Sequence, residues 1–260
     1  MKLEVRDLGV WFADRRVVEV DSLELDRGET LGLVGETGSG KSMTAYAIAG
    51  LAPGMGARVE GSVQLDGREL TTLSQGAWRD IRGRRIAMIF QAPISSLNPV
   101  FRTGDVFTRA LQLHGASKAE ARTRAAEAMR SVSLSPDLLR RYPHQLSGGQ
   151  AQRIAIAQAI ALRAEVLIAD EPTSALDVTV QAEILEQLQK LRTEEGIATL
   201  FISHDLAVVS GLCDRVAIMR DGRIVERGPV RETLTSPQHA YTRELLAAVP
   251  RLGEAGSAHA

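Results

Sequence analysis

The stretch that decides the fold reads Gly35-Glu36-Thr37-Gly38-Ser39-Gly40-Lys41-Ser42. It follows a short apolar run of strand type, Thr30 to Val34, and precedes a segment of helical type, Met43 to Leu51. The spacing G-x-x-x-x-G-K-[ST] between a strand and a helix is the Walker A pattern. Its glycines let the backbone turn tightly, so that N–H groups point at phosphate oxygens beside the positive end of a helix.

This loop predicts a binding site for a nucleoside triphosphate. We expect Lys41 to reach the β- and γ-phosphates and the Ser42 hydroxyl to bind Mg²⁺. The alternative is a glycine-rich turn that arises by chance. The chain has only four Lys against 27 Arg, however, so composition alone would rarely produce Gly-Lys-Ser. A lysine also supplies a slim point charge, whereas arginine presents a planar fork.

Composition narrows the class of protein. The chain has 260 residues, of which 44% are hydrophobic, and can bury one large core or two modest ones. A net charge of −1 with both signs interspersed predicts no nucleic-acid partner. The single cysteine, Cys213, excludes a disulfide framework and fits a reducing compartment. We expect no signal peptide or membrane helix, and therefore expect other chains to span any membrane.

The pattern of apolar residues predicts the fold class. Residues 3–8 and 18–25 alternate apolar and polar side chains, which is typical of half-buried antiparallel strands. Further strands are predicted at 62–66, 86–90, 166–169, 199–202, 216–219 and 224–225. Helical segments alternate with several of these strands. The pattern therefore predicts an α/β fold of the P-loop NTPase type, with a mostly parallel core sheet, right-handed crossovers and an N-terminal antiparallel β subdomain.

Residues 92–163 differ from the rest because they are rich in Ala, Arg, Leu and Glu. Helices are predicted there at 103–114, 117–133 and about 149–162. We expect a single ATPase domain over 1–260, in which 1–91 and 164–252 form the core and 92–163 form an inserted helical subdomain. The Gly-, Ala- and Ser-rich residues 253–260 are expected to be a disordered tail.

Two carboxylates follow the predicted strand Val166–Ala169, namely Asp170 and Glu171. The carboxyl ends of strands in open α/β sheets bind ligands. We therefore predict that Asp170 holds Mg²⁺, directly or through water. Glu171 would hold the attacking water and accept its proton. The alternative, an acidic loop without a catalytic role, is common after a strand, but the presence of a Walker A loop disfavours it.

Three further features bear on nucleotide binding. Leu146-Ser147-Gly148-Gly149-Gln150 precedes a helix and predicts a second phosphate-binding nest, which makes sense if it serves a partner's nucleotide. His204 follows a strand and is either structural or a sensor of the γ-phosphate. The aromatic pair Trp11-Phe12 either stacks on an adenine ring or packs at the rim of the local core, and both alternatives stay open.

The order of these motifs resembles the ATP-binding cassette of ABC transporters over essentially the whole chain. The motifs are Gly35–Ser42, Gln91, Leu146–Gln150, Asp170-Glu171, Ser174-Ala-Leu-Asp177 and His204. The resemblance implies ATP and Mg²⁺ as cofactors and two chains that enclose two ATP molecules. It also implies that Phe12 stacks on adenine. Gln91 would be the Q-loop residue, which touches Mg²⁺ and lies at the contact with the membrane domain.

The same resemblance assigns the remaining roles. Gln91 and His204, the switch histidine, join Glu171 as catalytic residues, and Asp177 belongs to the D-loop. Ser147 to Gln150 would complete the partner subunit's nucleotide site.

A narrower likeness is to the oligopeptide/dipeptide/nickel importer subfamily. It depends on Ile89–Val100, Tyr142–Leu146, Ser236–Leu246 and Ala248–Leu252. Two positions depart from the family, because Ala151 and Gln158 stand where Arg is frequent. We expect these departures to weaken the contacts of the signature helix.

The subfamily likeness predicts the ATP-hydrolysing subunit of an importer for peptides, nickel or a metal chelate. The expected partners are a second ATPase subunit, identical or paralogous, two transmembrane permease subunits and, indirectly, an extracytoplasmic solute-binding protein. The expected location is the cytoplasmic face of the membrane, with the loop Ser95–Val100, including Leu97, near the permease. The alternatives are an exporter ATPase or a cassette of a non-transport complex of the phosphonate-cleavage type.

Overall fold

A computed structural model of the chain describes residues 2–91, 98–174 and 176–248. The strands are β1 (Lys2–Phe12), β2 (Arg15–Asp26), β3 (Thr30–Val34), β4 (Arg58–Leu65), β5 (Arg68–Glu69), β6 (Ile86–Ile89), β7 (Val166–Asp170), β8 (Ala198–Ser203), β9 (Arg215–Arg220) and β10 (Arg223–Pro229). They form one sheet in the order β5-β4-β1-β2-β10-β9-β3-β8-β7-β6. The predicted α/β fold class is confirmed.

The helices surround this sheet. They are α1 (Lys41–Ile48), α2 (Gln75–Trp78), α3 (Thr103–Leu113), α4 (Lys118–Ser131), α5 (Gly148–Leu162), α6 (Val178–Glu195), α7 (Leu206–Leu212), α8 (Val230–Thr235) and α9 (Ala240–Ala247). Short 3-10 turns lie at Ala52–Met55, Pro136–Arg140 and Pro143–Gln145. Within the described ranges, no helix is long and apolar enough to cross a membrane.

The core of the sheet is parallel. β9, β3, β8, β7 and β6 are neighbours that run in the same direction. Every residue of β3, β7 and β8 is buried, which explains their continuous apolar runs. Val34 is in register with Ser203, and Asp170 with Ile202. The three strands therefore end at one edge, and the residues that follow them lie side by side.

The backbone pairing that joins the antiparallel part to this core is short. β1 pairs with both β2 and β4 in antiparallel register, as predicted, and its apolar residues alternate with exposed ones. β10 meets β2 through the single pairing of Arg223 with Glu19. At this point the guanidinium of Arg223 lies 2.5 Å from the Glu19 carboxylate. No pattern in the sequence predicted this join.

The helices between β6 and β7 share one apolar cluster with residues of the parallel strands, such as Ile89 and Phe201. Phe107, Met129 and Ile154, from α3, α4 and α5, are each 1% exposed or less. The three helices agree with their predicted bounds to within about two residues. The division of the chain into subdomains stays a prediction. Most of the predicted permease loop, including Leu97, and the predicted tail at 253–260 lie outside the described residues.

The first test compares two phenylalanines of this helical segment. Phe107 is fully buried and Phe101 is 52% exposed. We expect Phe107→Ala to lower the free energy of unfolding by about 3–5 kcal/mol because it leaves a cavity, and Phe101→Ala to change it by less than about 0.5 kcal/mol. Urea unfolding measures both variants. Equal losses of stability would contradict the packing described here.

Candidate nucleotide-binding site

Gly35 and Gly40 shape the loop between β3 and α1. A Cβ on Gly35 would lie 2.1 Å from the backbone oxygen of Met219, which is closer than any real contact. Gly40 caps α1 with φ of 104°, a conformation that L-residues with side chains rarely adopt. The loop therefore lies directly against β9 and turns into the helix at Lys41.

Lys41 is only 6% exposed, and its ammonium lies among oxygens of its own loop. The nitrogen donates to the carbonyls of Gly35 at 2.7 Å and Glu36 at 2.8 Å, and lies 3.4 Å from the Ser39 hydroxyl. Burial lowers the pKa of Lys41, and the nearby carboxylates, Glu171 first, oppose this shift. The loop thus holds the positively charged Lys41 ammonium at a position that suits the binding of an anion.

Asp170 is fully buried at the end of β7. Its Oδ1 accepts a hydrogen bond from the Ser42 hydroxyl at 3.0 Å. Its Oδ2 is buried without a hydrogen-bond partner among the described residues. Burial raises the pKa of Asp170, and the bond from Ser42 opposes that shift.

These oxygens fit the predicted Mg²⁺. An orphaned carboxylate oxygen beside a hydroxyl is a donor set that suits a hard cation. In the part of the chain that is described, no three His, Cys, Asp or Glu side chains are grouped to hold a metal. Mg²⁺ in nucleotide sites commonly takes one or two carboxylates together with phosphate oxygens and water, so the small donor set agrees with that chemistry.

The three residues predicted as catalytic are in contact. The carboxylate of Glu171 accepts a hydrogen bond from the Gln91 side-chain nitrogen at 2.9 Å and lies 3.0 Å from Nδ1 of His204. Glu171 has a positive φ of 46°, and its N–H bonds to the Ile202 carbonyl at 3.0 Å. Such backbone strain is concentrated at functional sites, and here it aims the carboxylate across the sheet edge.

Gln91 and Glu171 line an open cleft of about 330 Å³. The Walker A loop forms one wall, and Phe12 and Tyr46 are also part of the lining. Tyr46 was not predicted. It follows Ser42 by four residues on a helix, so the two lie on one face, and this spacing is the signal that could have identified it.

The structure distinguishes the two neighbouring aromatic residues. Phe12 lines the cleft. Trp11 instead packs against the guanidinium groups of Arg16 and Arg58, at 5.4 and 5.1 Å from its ring centre. Its indole N–H donates to Glu60 at 3.0 Å. Of these two neighbours, only Phe12 lines the cleft, and its predicted stacking on adenine stays a prediction.

The second predicted phosphate-binding nest does not line this cleft. Ser147 caps α5, with its hydroxyl accepting the Gln150 N–H at 3.2 Å, and the Gln150 side chain accepts the Ser147 N–H at 3.0 Å. Asp177 caps α6 in a similar way, by accepting the Val180 N–H at 3.1 Å. Both predicted partner-facing motifs thus begin helices, and their roles stay predictions.

One residue of the signature helix was missed. Gln152 is fully buried, and its amide donates to the Pro172 carbonyl at 2.7 Å, directly after Glu171. This bond links the helix that starts at the signature to the catalytic segment. Nothing local in the sequence predicts it. The expected weakening caused by Ala151 and Gln158 also stays a prediction.

Comparison with known proteins agrees with this geometry. Residues 18–174 match the ABC transporter family model. Over 96% of its length the chain is 49% identical to the peptidoglycan transport ATP-binding protein YejF of Agrobacterium fabrum, and it spans 47% of that protein. Over 98% of its length it is 47% identical to the oligopeptide transport ATP-binding protein OppD of Salmonella typhimurium, and it spans 78% of that protein.

A solved structure is similar as well. It is the dimeric ATP-binding cassette MJ0796 in a post-hydrolysis state with bound ADP and Pi. The TM-score is 0.80 at 28% identity, covering 88% of this chain and 99% of the other. The predicted exporter and non-transport alternatives gain no support from these relatives. The chain belongs to the ABC transporter family, as an ATP-binding cassette of the ATPase class that resembles those of peptide importers.

Proposed function

We propose that this chain hydrolyses ATP to drive the import of peptides through partner permease subunits. The observation that carries the proposal is the environment of Glu171, whose carboxylate contacts both Gln91 and His204. These contacts lie at the same sheet edge as the buried Lys41. A carboxylate oriented by two neighbours beside a phosphate-binding loop is suited to act as a general base.

ATP binding uses the loop first. The backbone N–H groups of the loop and the N-terminus of α1 attract the phosphates. Lys41 then exchanges the carbonyls of Gly35 and Glu36 for oxygens of the β- and γ-phosphates. Because Lys41 is already buried, its attraction to the phosphates is weakened little by water. Phe12 stacks on the adenine ring.

The same site would hold Mg²⁺. Ser42 and Asp170 are the candidate ligands, together with Gln91, which would bind through its amide oxygen because its nitrogen donates to Glu171. When bound, the ion neutralises charge that develops on the phosphates during transfer.

In the chemical step, Glu171 accepts a proton from the water that attacks the γ-phosphorus. The bond from that phosphorus to the bridging oxygen breaks, which releases ADP and inorganic phosphate. Gln91 and His204 hold the carboxylate in line with the water. Catalysis of this kind depends mainly on positioning and on charge stabilisation.

The position of the signature supports the proposed partners. The signature, Ser147 to Gln150, lies outside the Lys41 cleft, which supports a role at the nucleotide of a second cassette, identical or paralogous. Two permease subunits and a solute-binding protein complete the proposed importer, with this chain at the cytoplasmic face of the membrane. The relatives are named for peptidoglycan and oligopeptide transport. Peptides are therefore favoured over nickel or a metal chelate.

Replacing Glu171 tests the proposed chemistry. Glu171→Gln keeps the shape of the side chain and removes the base, so the assembled complex should bind ATP while its turnover falls by about 10²–10⁴-fold. Phosphate release measures the turnover. Glu165→Gln is the matched control, because Glu165 pairs with Arg85 at the opposite end of β7. Parental turnover in Glu171→Gln would assign the base to another residue.

Replacing Asp170 tests the metal site. Burial raises the pKa of Asp170 in the folded chain above its ordinary value. Ionisation of Asp170 therefore lowers the free energy of unfolding as the pH rises towards and through the folded-state pKa. Asp170→Asn keeps an acceptor for Ser42, so we expect melting about 2–4 °C higher near neutral pH, with the gain shrinking as the pH falls. In the parental chain we expect ATP with Mg²⁺ to raise the melting temperature more than ATP alone does, and in Asp170→Asn we expect this difference to disappear. A difference equal to the parental one would contradict the assignment of Asp170 as a metal ligand.

A further inference from the structure

The C-terminal helix α9 reaches the phosphate-binding loop. The hydroxyl oxygen of Tyr241 accepts a hydrogen bond from the N–H of Glu36 at 3.1 Å. Tyr241 is only 2% exposed, so this bond is shielded from water. The second residue of the Walker A loop is therefore held by a side chain 205 residues away.

The peptide unit between Gly35 and Glu36 is held at both ends. Its N–H donates to Tyr241, and its carbonyl, which belongs to Gly35, accepts from the Lys41 ammonium at 2.7 Å. The C=O and N–H of a planar trans peptide point in opposite directions. The position of the Tyr241 hydroxyl on one side thus sets the direction of the carbonyl that holds Lys41 on the other.

The Tyr241 side chain is itself anchored to the sheet. The carboxylate of Glu226, on β10, accepts the N–H groups of Gln238 at 2.7 Å and His239 at 3.0 Å. Nδ1 of His239 then accepts the Tyr241 N–H at 3.2 Å and caps α9. The guanidinium of Arg220, on β9, lies 4.6 Å from the centre of the Tyr241 ring. The strand next to β3, β9, and its neighbour β10 therefore determine where the hydroxyl lies.

We propose that Tyr241 is a positioning residue for the nucleotide site. Its hydroxyl orients the peptide between Gly35 and Glu36, and this orders the loop and Lys41 before the phosphates arrive. The inference depends on the proposed function only in taking ATP as the ligand. A loop ordered in advance loses less conformational freedom on binding, so the benefit falls on affinity and not on the chemical step.

The test removes one oxygen atom. Tyr241→Phe keeps the ring, its packing and its contact with Arg220, but leaves the Glu36 N–H without its acceptor. We expect the Kd and KM for ATP to rise by about 3–10-fold, the range typical of one lost hydrogen bond, with kcat within about twofold of the parental value. Calorimetry on the full chain gives Kd, and the assembled complex gives KM and kcat.

A matched control separates positioning from simple loss of stability. Arg243, also on α9, donates to the carbonyls of Pro237 and Gln238 at 3.1 and 3.0 Å. Arg243→Ala should lower the melting temperature of the chain and leave the Kd for ATP unchanged. A parental Kd in Tyr241→Phe would overturn the proposal, as would an equal rise of Kd in both variants. The comparison of Kd values between the parental chain and the variants requires only that ATP binds. If the parental complex did not hydrolyse ATP, that result would refute only the proposed function.

Discussion

The ammonium of Lys41 lies almost wholly inside the protein, and the groups that compensate its charge determine how the sheet edge is built. A buried charge without partners is costly, so the chain surrounds it with the carbonyls of Gly35 and Glu36. Bending the loop back over its own lysine requires the close approach of Gly35 to Met219 and the left-handed backbone of Gly40. The relation between β3, β9 and α1 follows from this constraint.

The carboxylates beyond the loop complete the arrangement. Parallel register brings the ends of β3, β7 and β8 together, so that Asp170, Glu171 and His204 lie at the same sheet edge as the loop. Asp170 is buried, with one oxygen bonded to Ser42 and the other without a hydrogen-bond partner among the described residues. Glu171 is less buried and has two polar neighbours. These different surroundings suit the two residues to the different roles proposed for them, metal ligand and base, although they are adjacent in sequence.

Local spacing explains which features could be predicted. The Walker A pattern lies within the eight residues Gly35–Ser42, and the alternation of apolar residues lies within one strand. Because both patterns are local, the sequence predicts the features that depend on them. The contacts that were missed join distant segments, as between Glu36 and Tyr241 or Gln152 and Pro172. The same holds for the join of β2 to β10. Periodicity carries no information on such pairs, because they arise only when the whole sheet is assembled.

The affinity of Lys41→Ala for ATP tests the central claim most directly. If the buried ammonium is the principal cation for the phosphates, calorimetry should show ATP binding weakened by about 10- to 100-fold or more. Lys190→Ala is the control, because Lys190 is exposed and pairs with Glu186, and it should bind ATP as the parental chain does. Parental affinity in Lys41→Ala would contradict the account of this site.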